Sequence, residues 1–460
     1  MVNTNRLRSP QCVLPIGLCQ VAAAAESAGH EIRILDLCFR YDVRKAIRRA
    51  VHDFAPDVIA LSIRNLDNSD ACAPRSYIAE VAGMVDTLRE WHTGYMVIGG
   101  PGASIAPKEL ASRLGADYAF VGEGERAFPC YLDCLAEGRN PEAECGVIRA
   151  DNRVARAEPS PLPVNPLRKL DLRRYASYGT PVPIQTKRGC SMKCVYCTYP
   201  AIEGAEYRLK PARLVAEEVE QSTSLGFFRS VEFVDSTFNC PTEHAHAVCE
   251  ELERRRNTLP LHTTSINPSG ASTGLFRLME RAGFVAMGAS LESASDEVLS
   301  ALGKGYTSKD VLDTIRAARM TSMARMWVFI LGGPGETERT AGETLAFIRK
   351  HIHGRDLALI TCGLRIYPGT ELERISRREG VLRGDEDLLE PAFYFSPAVG
   401  RERLLEMVKS AGLWGHGTIF ISDIGSAALP FAQRIHTALR LPPPYWRQAG
   451  TMVRIKRAFR

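Results

Sequence analysis

The chain has 460 residues, of which 45% are hydrophobic, 24% charged and 8% aromatic. That composition is globular, which excludes disordered, collagen-like and coiled-coil chains, and the length points to two or three domains. Lysine plus arginine exceeds aspartate plus glutamate by 58 − 53 = 5, too slight an excess for a nucleic-acid-binding protein. The N-terminus, MVNTNRLRSPQCVLPIG, lacks the apolar core of a signal peptide. No run of about 18 apolar residues follows, so no membrane-spanning helix and no membrane partner are expected. A cytoplasmic location is the expectation.

From residue 14 to about 150 helices and short apolar strands alternate. Residues 14–30 read as a helix stopped at Gly29, 31–37 as a strand and 43–54 as a helix. Residues 56–64 read as a strand, 77–91 as a helix, 95–100 as a strand, 107–115 as a helix and 116–122 as a strand. Helices of about three turns between such strands predict a parallel sheet covered on both faces, in a doubly wound, Rossmann-like domain over 1–150. Pro159, Pro161, Pro163 and Pro166 then mark a linker, taken as 151–172, because that density of proline fits neither a helix nor a central strand. Six further strands are read at 182–188, 230–236, 261–266, 284–292, 325–333 and 358–366. With helices such as 212–226 and 308–320 between them, they suit a partial (βα)6 barrel over 173–385. A mostly helical segment is expected over 386–460.

Thirteen cysteines in a reducing compartment point to metal or redox chemistry rather than to a disulfide framework. The sharpest signal is GCSMKCVYC, with Cys190, Cys194 and Cys197 in a loop after a strand. Three thiolates at CxxxCxxC spacing suit one face of an iron–sulfur cubane and leave one iron open. A structural zinc site is the plainer alternative, but its fourth ligand would have to come from as far off as Cys240 or His244. Asp235 and Glu292 end two of the later strands. An acid there also serves as a helix cap. Gly332 to Thr337, GGPGET, brings backbone close to a flat ligand or forms a simple strand-to-helix turn with Thr337 as cap.

The CxxxCxxC motif after the first strand of such a barrel resembles the radical SAM superfamily. The resemblance implies a [4Fe–4S] cluster on Cys190, Cys194 and Cys197, with S-adenosylmethionine chelated at the fourth iron. Tyr196 matches the aromatic that flanks adenine, Asp235 stands where the amine is usually held, Glu292 faces the ribose hydroxyls, and Gly332 and Gly333 approach the adenine. The usual Gly-Gly-Glu-like stretch is replaced by VEFVDSTFN.

In the first half, neither GGPGAS (Gly99 to Ser104) nor GEGE (Gly122 to Glu125) is a GxGxxG dinucleotide motif. Taken one loop at a time, tight turns explain them. Together with LPIGL (14–18), AGHEIRILD (28–36), SIRN (62–65) and TYPAIEGAEYR (198–208), they resemble the cobalamin-binding class of radical SAM enzymes, over about residues 10 to 375. That resemblance implies a corrinoid contacted by Ser62, Asn65, Gly99, Gly100, Gly102, Ser104, Gly122 and Glu123, its nucleotide tail against Gly99, Gly100 and Gly102. A DxHxxG motif for a cobalt-ligating histidine is absent, and His30, His52 and His92 do not fit one. Arg64 resembles the arginine beneath cobalt in a thiopeptide-pathway tryptophan methyltransferase of this class. A guanidinium cannot ligate the metal. An ion pair with Asp67 or Asp70 is the competing reading.

The expected activity is a C-methyltransferase of specialised, antibiotic-type metabolism, with Arg64 as its catalytic candidate. It would move a methyl group from S-adenosylmethionine through methylcobalamin to a small-molecule or carrier-bound substrate, with an electron donor such as flavodoxin or ferredoxin. A cyclase or oxidase of the same build is the alternative, and a corrinoid or iron–sulfur sensor a third. At the C-terminus, the basic RIKRAFR is either a solvated end or a docking patch. The aromatics of LPPPYW and PAFYFSP either cover a substrate or pack.

Overall fold

The computed structural model describes residues 1–9, 11–148, 167–353, 356–413, 418–420 and 435–448. The proline-rich linker and the basic C-terminal run lie outside these residues. Six strands form the first sheet: β1 (Val2–Asn3), β2 (Leu35–Asp36), β3 (Val58–Ser62), β4 (Tyr95–Gly99), β5 (Tyr118–Phe120) and β6 (Val147–Ile148). Their order is β2-β1-β3-β4-β5-β6, parallel except for the antiparallel edge β6. The chain leaves β1 toward β2 on one side and then crosses to β3 on the other, which opens a crevice at the carboxyl ends of β1 and β3. Local signals set the helices between. Asp42 accepts from Lys45 N at 2.8 Å to start Val43–Phe54, and Ala55 ends it in a left-handed conformation.

A hairpin of β8 (Lys187–Arg188) and β9 (Arg208–Leu209) stands beside the first strand of the second domain, β7 (Val182–Ile184). The others are β10 (Val231–Phe233), β11 (Leu261–Ile266), β12 (Phe284–Glu292), β13 (Ala324–Leu331), β14 (Asp356–Cys362), β15 (Leu364–Arg365), β16 (Phe393–Tyr394) and β17 (Thr418–Phe420). The sheet runs β7-β10-β11-β12-β13-β14-β17, all parallel, each strand beside its neighbour in the chain. Sequential parallel strands with helices between them are the partial barrel. Trp327, Phe329 and Leu331 on β13 point outward into the helical layer and are fully buried there. The fold is therefore α/β, a Rossmann-like domain followed by a partial radical-SAM-type barrel.

The C-terminal segment contains the helix Arg401–Ser410 and also two strands that periodicity did not show. β16 pairs with β15, and β17 extends the barrel sheet beyond β14. Tyr394 is fully buried, and Trp446 packs against Ala286, Ala324, Leu357 and Ile419 across one end of the barrel. These aromatics pack rather than cover a substrate. β1 and β6, two residues each, were also missed, and the strand expected at 31–37 shrinks to Leu35–Asp36. Two-residue strands carry no alternation to detect.

Candidate functional site

The cluster loop is the long connection of the β8–β9 hairpin. Gly189 opens it at φ +89°, where a Cβ would collide with the Glu206 carbonyl, so only glycine fits. Cys190 N donates to Gly204 O at 3.0 Å, Val195 N to Leu302 O at 3.1 Å, and Leu372 N to Val195 O at 2.8 Å. The loop is thus clamped from two sides. Cys190 is buried, and Cys194 and Cys197 are half-buried. Burial pushes the Cys194 thiol up and the Cys197 thiol up to about 11, so a metal would have to displace the protons. Among the described residues, the three-ligand group drawn within 4.8 Å lies elsewhere, at Cys130, Cys134 and Cys145. Three cysteine sulfurs on one clamped loop are soft donors of the kind an iron–sulfur cluster takes.

Beside the loop is a charged corner. Glu292 Oε1 accepts from Tyr196 OH at 2.7 Å and from Lys304 Nζ at 3.0 Å, and Lys304 Nζ also donates to Tyr196 OH at 3.1 Å. Glu292 is only 2% exposed, and its φ of +61° is a conformation non-glycine residues avoid. Its Oε2 has no hydrogen-bond partner among the described residues. The cap reading fails, since the following helix starts at Asp296. A strained, buried carboxylate with one idle oxygen is a built acceptor for a ligand's hydroxyls. Lys304, between Gly303 and Gly305, had no sequence signal, because its partner is twelve residues back on another element.

Asp235 is corrected. Its oxygens accept from Thr186 N at 2.7 Å, Thr186 Oγ1 at 2.6 Å and Lys187 Nζ at 3.3 Å. Both Asp235 and Lys187 side chains are fully buried, so this carboxylate ties β7 to β10 and has no oxygen left for an amine. Gly332 and Gly333 are corrected likewise. A Cβ on Gly332 would lie 2.9 Å from Leu404 and one on Gly333 3.0 Å from Leu364, too close for a side chain, while Thr337 caps the helix Glu338–His351. Packing explains them. Within that turn Glu336 accepts from Gly332 N at 3.0 Å and Thr340 Oγ1 at 3.1 Å, and burial pushes its carboxyl up to about 7.

Between the crevice of the first sheet and the barrel lies a cavity of about 320 Å³. Ser62, Arg64, Gly99, Gly100, Gly122 and Glu123 line it from one domain, and Gln185, Arg188, Glu203 and Val234 from the other. Gly100, at φ +94°, lets the β4 loop press on the Ile63 carbonyl. Three expected contacts turn away from the cavity lining. Ser104 Oγ is engaged with Gly100 O and Gly122 N, Gly102 N donates to Ile63 O at 2.9 Å, and Asn65 lines a separate small pocket. The Glu123 carboxylate is committed to Arg188 at 3.1 Å and to Arg208, across the domain boundary. Glu203 accepts from Gln185 Nε2 at 2.9 Å and Gly189 N at 3.2 Å, and burial pushes it up to about 7.

Arg64 has neither of its competing partners. Asp67 is paired with Arg365 at 2.6 Å, and Asp70 accepts from Cys72 N at 2.9 Å. Arg64 makes no hydrogen bond or ion pair among the described residues and lines the cavity. Desolvation pulls its pKa down, opposed by Tyr199 and Glu232 nearby. The switch-point crevice and the guanidinium at its rim fit a corrinoid.

Family comparison agrees with this geometry. The model of the radical SAM superfamily matches residues 184–348, and that of the B12 binding domain matches residues 3–132. An uncharacterized methyltransferase of Pyrococcus horikoshii is 25% identical over 368 residues, 78% of this chain and 77% of the relative. The hopanoid C-3 methylase of Methylococcus capsulatus is 27% identical over 255 residues, and the match spans 52% of this chain and 45% of that protein. In fold, the chain superposes on the radical S-adenosylmethionine methyltransferase TsrM of Kitasatospora setae, solved with cobalamin and a [4Fe–4S] cluster. The TM-score is 0.85 at 23% identity, over 100% of this chain and 99% of that one. The chain carries a radical SAM domain and a B12 binding domain. Its radical SAM domain implies a [4Fe–4S] cluster and S-adenosylmethionine, and its B12 domain implies cobalamin. Among the described residues no helix is long and apolar enough to cross a membrane.

Proposed function

We propose that the protein is a C-methyltransferase of specialised, antibiotic-type metabolism, acting on a carbon of a small-molecule or carrier-bound substrate. When bound, the cluster with S-adenosylmethionine supplies one-electron chemistry and the corrinoid supplies a methyl carrier. Cys190, Cys194 and Cys197 hold the cluster in this reading. Tyr196 and Glu292 hold S-adenosylmethionine, with Glu292 Oε2 accepting from hydroxyls, and Lys304 orients that carboxylate. Ser62, Gly99, Gly100 and Gly122 line the corrin crevice. A flavodoxin- or ferredoxin-type donor and a cytoplasmic location belong to the same reading.

The observation that carries it is Arg64. A guanidinium freed of carboxylate partners at the corrin crevice cannot ligate cobalt and stays charged. Beside a bound corrinoid it would offer a charged group and no ligand atom, which would favour the cofactor's use as a methyl carrier. Relatives named as methyltransferases support the same direction.

The test is an anaerobic reconstitution followed by electron paramagnetic resonance of the Co(II) form. The expected spectrum is base-off without nitrogen superhyperfine splitting, and turnover yields S-adenosylhomocysteine. Nitrogen splitting would overturn the role of Arg64. A cyclised or oxidised product without S-adenosylhomocysteine would overturn methyl transfer.

A further inference from the structure

A second group of cysteines lies away from the site. Cys130 and Cys134 sit one turn apart on the helix Gly124–Ala136, and Cys145 follows the short helix Pro141–Glu144, just before β6. Their sulfurs lie within 4.8 Å of one another. Cys130 and Cys145 form a disulfide, and the Cys134 sulfur is 3.4 Å from that of Cys145. Cys134 and Cys145 are buried, whereas Cys130 is partly exposed.

We infer that Cys130, Cys134 and Cys145 form a thiol–disulfide exchange site, in which Cys145 is shared between a surface sulfur and a buried one. Its outside substrate is a small thiol or its disulfide. A purely structural crosslink needs two sulfurs, and here a third lies 3.4 Å from Cys145 Sγ, from where a rotation of the Cys134 side chain toward the line of the S–S bond starts exchange. The Cys134 thiolate attacks Cys145 Sγ. The Cys134–Cys145 bond forms as the Cys130–Cys145 bond breaks, and the electron pair leaves on Cys130. Cys130 takes up a proton in place of the one Cys134 released, so no oxidant is consumed. The freed Cys130 then meets external thiols and disulfides at the surface, while the new bond is shielded from them. Disulfides in reducing compartments are mostly of this transient, redox-active kind. A metal is the competing occupant of three converging sulfurs, but Cys130 and Cys145, bonded to each other, offer no thiolates.

The test uses full-length holoenzyme purified without oxygen, equilibrated with glutathione disulfide and blocked with N-ethylmaleimide in acid. Linked peptides are then read by mass spectrometry. Both Cys130–Cys145 and Cys134–Cys145 links are expected in the wild type. Only the first should survive in Cys134→Ser, and only the second in Cys130→Ser. Cobalamin absorbance and iron content should stay at wild-type levels in each variant, which shows that the domain is folded. Complete alkylation of Cys134 in the wild type, together with no Cys134–Cys145 link in Cys130→Ser, would overturn the inference. So would about one zinc per chain that protects all three sulfurs and is lost in Cys134→Ser.

Discussion

The corner where Glu292 meets Lys304 and the crevice where Arg64 stands both hold charge, but the corner is buried and Arg64 is exposed, and the two are in opposite states of completion. In the corner, the cation, the carboxylate and a phenol are bonded to one another, and only Glu292 Oε2 is idle. In the crevice, the guanidinium makes no hydrogen bond or ion pair among the described residues, and both nearby aspartates are engaged elsewhere. The first arrangement suits a small ligand that plugs into a preset frame. The second suits a large cofactor whose own atoms finish the site. A buried pair is costly to break.

This contrast can be broken or sharpened by substitution. The largest effect is expected at the cluster loop itself. Replacing Cys190, Cys194 and Cys197 together with Ala should take iron from about four per chain to near zero, while cobalamin binding in the other domain persists. Iron and cobalt counts decide it, and full iron in the triple variant would contradict the ligand assignment.

At the preset corner, Lys304→Met strands a buried carboxylate, and the apo protein should lose roughly 3–5 kcal/mol of stability. The double variant Lys304→Met with Glu292→Gln should recover much of that loss. Urea midpoints measure both. A mild loss in the single variant would show that the corner is solvated and not preset.

The Glu336 carboxyl gives a pH test of the barrel. Burial raises it from 4.5 to about 7. Between those values the folded chain keeps a proton that the unfolded chain has lost. Its stabilising contribution is present below about pH 4.5 and is lost as pH rises through 7, by up to about 3 kcal/mol. Glu203, raised likewise, adds a fall of the same sign. Glu336→Gln keeps the acceptor for Gly332 N and should flatten part of the slope in denaturation midpoints taken between pH 5 and 8. An unchanged slope would place the proton elsewhere.

The smallest effect is expected in the crevice. Arg64→Ala should leave stability and cobalamin content unchanged and slow methylation roughly ten- to a hundredfold, the size of one lost interaction of about 1.4–2.7 kcal/mol. Arg64→His should introduce nitrogen splitting on Co(II). Loss of cobalamin in Arg64→Ala would mean that the residue binds the cofactor and does not tune it.

Legibility followed element length. β11 and β12 were read from the sequence at their observed bounds, because strands of six and nine residues between turn signals leave little choice. β1, β6 and β17 went unread because two or three residues carry no period and their pairing is decided by tertiary contacts. The cysteine loop was legible because its ligands are adjacent in the chain. The chain partners of Asp235, Glu123 and Ser104 were not legible, for the opposite reason. Each sits where a ligand contact is expected, and each is consumed by a partner far along the chain: Lys187, Arg208 and Gly122. Lys304 was invisible on the same grounds.

The central claim is methyl transfer, and turnover with S-adenosylmethionine carrying a deuterated methyl group tests it most directly. The account predicts labelled methyl on a carbon of the product, with S-adenosylhomocysteine formed alongside. Full turnover to a product that carries no label would contradict it.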